Sequence, residues 1–88
     1  MEYEYRPEGT CSQLMTIEIH NGVIKSLKVV GGCHGNLQGI GRLVAGMKIN
    51  DVIAKLQGVK CKMRNTSCPD QLAKALILIK ENKLQSIS

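Results

Sequence analysis

Apolar and polar residues alternate with period two from Leu14 to His20. The alternation places Met15, Ile17 and Ile19 on one face of a strand and Thr16, Glu18 and His20 on the other. Asn21-Gly22 follows, a dipeptide suited to the two positive-φ positions of a type I′ hairpin turn. Val23 to Val30 then reads as the returning strand, with Leu27 and Val29 inward and Ser26 and Lys28 outward. Ahead of this hairpin, Tyr3 to Arg6 predicts a short edge strand, ended by Pro7 and the Glu8-Gly9 turn signal.

Beyond Gly31-Gly32 the period changes. Leu37, Ile40 and Val44 fall on one side of a helix from about Asn36 to Ala45, with Gly46 as its stop. Gly39 and Gly41 each weaken that helix by roughly 1 kcal/mol relative to Ala, which predicts close backbone approach to the sheet or to a site. Asn50 is the expected cap of a short second helix over Asp51 to Leu56, with Ile49 as a hydrophobic staple and Gly58 as the stop. The strongest helix signal opens at Thr66-Ser67-Cys68-Pro69-Asp70. Pro69 suits the first helical position, Asp70 opposes the positive end of the helix dipole, and Leu72, Leu76 and Ile79 repeat as a buried stripe. The expected fold is α+β: a three-stranded antiparallel meander with two to three helices packed on one face, in a single domain over residues 1–88.

Composition narrows the class. Eighty-eight residues support one modest core, and 43% hydrophobic with 22% charged residues excludes a disordered chain. There is no Phe or Trp, so the core must be aliphatic, and folds that stack nucleic-acid bases on aromatic platforms are disfavoured. The formal charge of +5 is spread as single Lys and Arg residues, as on a solvated surface. Its one local concentration, Lys60, Lys62 and Arg64, flanks Cys61. The acidic opening lacks the pattern of a secretory signal, and the longest apolar run, Ala75 to Ile79, is too short for a bilayer. A cytoplasmic protein with no membrane partner is the expectation.

Four cysteines in such a chain are too few for a disulfide scaffold, and serve as core residues, metal ligands or redox groups. Cys33 and Cys68 each stand just before a predicted helix, where unpaired N–H groups and the dipole favour the thiolate that binds metals and attacks disulfides. Antiparallel pairing across Asn21-Gly22 sets the chain near Cys11 opposite Val30 to Cys33, so the hairpin carries both cysteines toward one end of the sheet. Cys61 is separated from Cys68 by six residues, a loop that can fold back although the spacing matches no standard zinc knuckle. His34 is either a ligand or proton shuttle, or an exposed loop histidine. His20 reads as surface.

Thr66 to Asp70 spells TSCPD. With Gly-Gly-Cys-His-Gly-Asn-Leu-Gln-Gly-Ile at positions 31 to 40, the chain resembles a stand-alone TSCPD-domain protein over nearly its whole length. This domain also occurs as a cysteine-rich C-terminal region of some ribonucleotide reductases, particularly cobalamin-dependent ones, and stand-alone members are often labelled ribonucleoside-diphosphate reductase. The resemblance implies a link to deoxynucleotide synthesis, with ribonucleotide reductase or another protein as partner. A second likeness, in the order cysteine, hairpin, Gly-Cys helix, short helix, Cys helix, is to iron–sulfur scaffold proteins of the IscU and NifU type. It implies an IscU/NifU-like fold with Cys11, Cys33 and Cys68 at the three ligand positions. Gln13 stands where those proteins carry an aspartate and Ser67 where they carry a histidine, departures that make Cys61 a natural fourth ligand.

Three functions follow as expectations. One is a metal-binding accessory domain with Cys11, Cys33, Cys61 and Cys68 on zinc or an iron–sulfur centre, since four cysteines close a tetrahedral set. Another is a thiol relay for ribonucleotide reductase, with Cys61 and Cys68 forming a reversible disulfide and Cys68 as nucleophile. The third is an iron–sulfur assembly scaffold. The bland alternative is a partner-binding domain with inert cysteines. No complete active site is legible: there is no phosphate-cradling loop, and Gly39-Ile40-Gly41 lacks the third glycine of a dinucleotide fingerprint.

Overall fold

A computed structural model describes residues 1–10, 12–32, 34–60 and 65–87, with the backbone alone at residues 34 and 35. Strand β1 (Glu2–Tyr5) is followed by β2 (Ser12–His20) and β3 (Val23–Gly31), then helices α1 (His34–Val44), α2 (Ile49–Leu56) and α3 (Cys68–Lys80). The strands form one antiparallel sheet in the order β1-β2-β3, the expected α+β meander with three helices. Asn21 and Gly22 take φ of 52° and 74°, the positive values that a type I′ turn requires. The edge strand covers residues 2–5 rather than 3–6, and its outer side receives a hydrogen bond from the Ile87 N–H to the Glu2 carbonyl at 2.7 Å.

Met15, Ile17 and Ile19 are buried as the alternation requires, while Gln13 and His20 are exposed. The β3 strand departs from uniform alternation. Glu18 pairs with Ser26 but Ile19 pairs with Ile24, leaving Lys25 as an extra residue. The bulge inverts the facing of the strand. Ile24 therefore joins Leu27 and Val29 on the inner face and becomes fully buried, a core residue that strict alternation hides.

Helix α1 lies on β3. At Gly41 an added Cβ would stand 3.0 Å from the Leu27 carbonyl oxygen, whereas Gly39 has nothing within 4 Å. Only the first of the two glycines is thus explained by close approach. The α2 helix corrects the expected cap. Lys48 is the N-cap, without a side-chain bond, and Asn50 lies inside the first turn. The hairpin tip replaces the missing cap: the Ile49 N–H donates to the Gly22 carbonyl at 2.9 Å, while the Ile24 N–H donates to Met47 and the Gly46 N–H to Ile24. Free N–H groups at a helix start need partners, and tertiary carbonyls serve as well as a side chain.

Helix α3 begins at Cys68 with Ser67 as N-cap, so Pro69 is the second helical residue rather than the first. Its far end closes on Asn82 at φ 58°, with Lys83 N–H bonded to Leu78 and Asn82 N–H to Ile79, a Schellman arrangement with Asn in the place usually taken by Gly. Leu72, Ala75, Leu76 and Ile79 meet Met15, Ile17, Ile24 and Val52 in one aliphatic core. Among the described residues, no helix is long and apolar enough to cross a membrane.

Candidate thiolate site at the start of the third helix

The first turn of α3 sits against the open end of the hairpin. Ser67 adopts an extended backbone, φ −148° and ψ 169°, and its Oγ accepts the Asp70 N–H at 3.2 Å while donating to the Val59 carbonyl at 2.6 Å. Cys68, half-buried, follows as the first helical residue. Its Sγ lies 3.3 Å from Ser12 Oγ, and that hydroxyl shares a second hydrogen bond with Thr10 Oγ1 at 2.8 Å. Ser12 is in turn the register partner of Gly31 across the sheet. One serine therefore touches α3, joins the segment that follows Cys11, and pairs with the segment that leads to Cys33.

Of the four predicted ligands, only Cys68 falls within the described residues; Cys11, Cys33 and Cys61 lie outside them, as does the side chain of His34. Among the described residues no three His, Cys, Asp or Glu side chains gather as a metal-binding group. His20 is at the closed end of the hairpin, exposed and 3.4 Å from Glu18, a surface residue as expected.

Two buried polar residues of the same helical turn hold the surrounding loops. Asp70, 4% exposed, accepts the Gly58 N–H at 2.7 Å on Oδ1 and the Thr66 hydroxyl at 2.5 Å on Oδ2, with Lys74 Nζ at 3.7 Å. The Thr66 hydroxyl bond and the Gly58 N–H hold its carboxyl below the usual carboxylate value, against the opposing effect of burial, with a smaller contribution from Lys74. Gln71, 3% exposed, donates from Nε2 to Thr66 Oγ1 at 3.0 Å. Its Oε1 accepts both the Tyr5 hydroxyl at 2.9 Å and the Glu8 N–H at 3.0 Å. Burial, then the negative charges of Glu8 and Asp70, push the Tyr5 phenol up. Every buried side-chain nitrogen and oxygen among the described residues has a partner, which is the condition under which a buried polar network rigidifies a structure.

The geometry gives the motif a division of labour. Thr66, Ser67 and Asp70 tie Gly58 and Val59 to the start of α3, closing the two ends of the basic connection on one turn of helix. Gln71 ties the β1–β2 connection at Glu8 to the same turn. Cys68 supplies the one sulfur of this turn, half-buried beside the Ser12 hydroxyl. Asp70 thus does more than oppose the helix dipole, and Ser12, Thr66 and Gln71 act at this turn through contacts that no local sequence pattern announces. A usable signal was present: Ser67-x-x-Asp70 has the spacing of a capping box, but its acid reaches a distant loop amide instead of the N-cap N–H.

The family model described as the TSCPD domain matches residues 1–80. No curated protein and no solved structure matches the chain, and the likeness to iron–sulfur scaffold proteins is not shown by these comparisons.

Proposed function

The chain belongs to the TSCPD-domain family, and on that premise we propose that it is a small thiolate metal-binding domain serving a larger partner enzyme. Cys11, Cys33, Cys61 and Cys68 are the ligands in this reading, and zinc or an iron–sulfur centre is the bound group. The family resemblance points to ribonucleotide reductase as the partner.

One observation carries the reading: Ser12 contacts Cys68 Sγ while it pairs with Gly31 in the sheet. Ser12 is bonded to Cys11, and Cys33 follows Gly31 by two residues, so three cysteine-bearing segments share one rim. Neighbouring Cα atoms are about 3.8 Å apart and a zinc–thiolate bond is about 2.3 Å, so such a rim is within reach of a shared ion. Cys68 fits a ligand role, being half-buried at a helix start with a hydroxyl on its sulfur. As a thiolate its Sγ accepts, and the Ser12 hydroxyl donates and orients it. Cys61 belongs to the connection whose flanks Asp70 and Ser67 hold, and Lys60, Lys62 and Arg64 balance the surplus charge of four thiolates. A bound zinc would supply a closed structural crosslink.

Elemental analysis of untagged protein prepared without chelators tests the proposal. The expected result is about one metal centre per chain, lost from Cys33→Ser and from Cys68→Ser. Metal-free protein with a reversible disulfide between Cys61 and Cys68 would instead establish the thiol relay.

A further inference from the structure

Along β2, Met15, Ile17 and Ile19 point inward. Strict alternation carried back from them would turn Gln13 inward and Ser12 outward. The strand does the reverse. Ser12 pairs with Gly31 while Leu14 pairs with Val30, so Gln13 is the extra residue of a second bulge. Gln13 is exposed and Ser12 is 4% exposed. A bulge re-aims a side chain, and such irregularities gather next to functional sites. The side chain re-aimed here ends 3.3 Å from Cys68 Sγ, opposite a glycine that has no side chain to fill the same space.

The hydroxyl so placed has one proton and two neighbours. Ser12 Oγ lies 3.3 Å from Cys68 Sγ and 2.8 Å from Thr10 Oγ1, and a hydroxyl donates once while accepting up to twice. A metal-bound cysteine sulfur carries no proton and only accepts. The Ser12 proton then goes to sulfur, and Thr10 donates to Ser12 Oγ. Both hydrogen bonds thereby run one way, from half-buried Thr10 through buried Ser12 to Cys68. A donor on a ligand sulfur fixes its orientation and draws electron density from its bond to the metal.

We propose that Ser12, turned inward by the bulge at Gln13 and oriented by Thr10, is a positioning residue that tunes the bond between Cys68 and the metal. The inference rests on the metal-binding reading above and adds two hydroxyls that act on one of its ligands.

The test loads the full chain with cobalt(II) in place of zinc and reads two quantities. Competition against a chelator gives the affinity, and absorption gives the sulfur-to-cobalt charge-transfer band. Ser12→Ala is expected to bind cobalt roughly 10- to 100-fold more weakly. Its band moves to lower energy, because a sulfur that loses a donor gives up charge more readily. Thr10→Val moves both readings the same way by less, since it leaves the Ser12 hydroxyl but removes its orienting partner. Thr10→Ser, which keeps a hydroxyl, restores both. Unchanged affinity and band in Ser12→Ala overturn the inference and leave metal binding standing. Weaker binding with an unmoved band also overturns it, by making Ser12 a packing residue. Should Ser12→Ala fail to fold, the Thr10 pair decides, and a Thr10→Val band identical to that of the native protein overturns the inference. A native protein that takes up no cobalt, or a band that Cys68→Ser leaves unchanged, overturns the metal-binding reading and this inference together.

Discussion

Asp70 shows how one side chain serves two levels of structure. Its position three residues after an N-cap serine is an ordinary helix-start placement, yet its oxygens are taken by the Gly58 amide and the Thr66 hydroxyl. A carboxyl held below its ordinary value of 3.8 stabilises the fold fully above that value. The contribution is lost as pH falls through the lower folded value. Asp70→Asn keeps the shape but removes the charge and turns one acceptor into a donor. The expected cost is about 2 kcal/mol at neutral pH, shrinking toward zero under strongly acidic conditions. Urea unfolding of both proteins at pH 7 and at pH 3 measures the difference, and a pH-independent gap would mean that the charge is irrelevant to the clamp. None of this was legible in the local pattern, because Asp70 reaches Gly58 across twelve residues and Gln71 reaches Glu8 across sixty-three. The residues were visible in the sequence; their partners were not.

Elements were more legible than residues wherever a local rule decided them. The hairpin followed from alternation and from Asn21-Gly22, and α3 from its cap, its proline and its stripe of Leu72, Leu76 and Ile79. Misreadings arose where tertiary contacts replaced local ones. The bulge at Lys25 is a property of pairing register, so Ile24 could not be assigned inward from β3 alone. Asn50 has a capping side chain, but the hairpin tip already satisfies the start of α2. The glycines of α1 divide in the same way. Gly41→Ala sets a methyl group against the Leu27 carbonyl and forces α1 off β3, while Gly39→Ala meets open space. The second substitution is expected to stabilise by up to about 1 kcal/mol through helix propensity. The first is expected to destabilise despite the same propensity gain. Thermal melts of the two variants compare them directly, and equal effects would deny the close contact.

At the scale of the whole molecule, sheet and helices share one aliphatic core, while polar ties gather at the rim where α3 begins. That rim joins the β1–β2 connection, the end of the hairpin and the connection from α2. A metal bound there would crosslink segments far apart in sequence and would stabilise the folded state by mass action. Chelation should therefore lower the melting temperature of the native protein and leave that of Cys68→Ser unchanged. The meeting of these segments was only partly legible. Pairing across the turn set the chain near Cys11 opposite Val30 to Cys33, and Ser12 does pair with Gly31, but nothing local announced that Cys68 would meet Ser12 across fifty-six residues.

X-ray absorption at the metal edge of the native protein addresses this most directly, because it reads the atoms bound to the ion. For zinc the expected spectrum is a sulfur-only shell of about four ligands near 2.3 Å, reduced by one sulfur or emptied in Cys68→Ser. A shell of nitrogen and oxygen alone, or a spectrum that Cys68→Ser leaves unchanged, would contradict a shared thiolate centre at this rim.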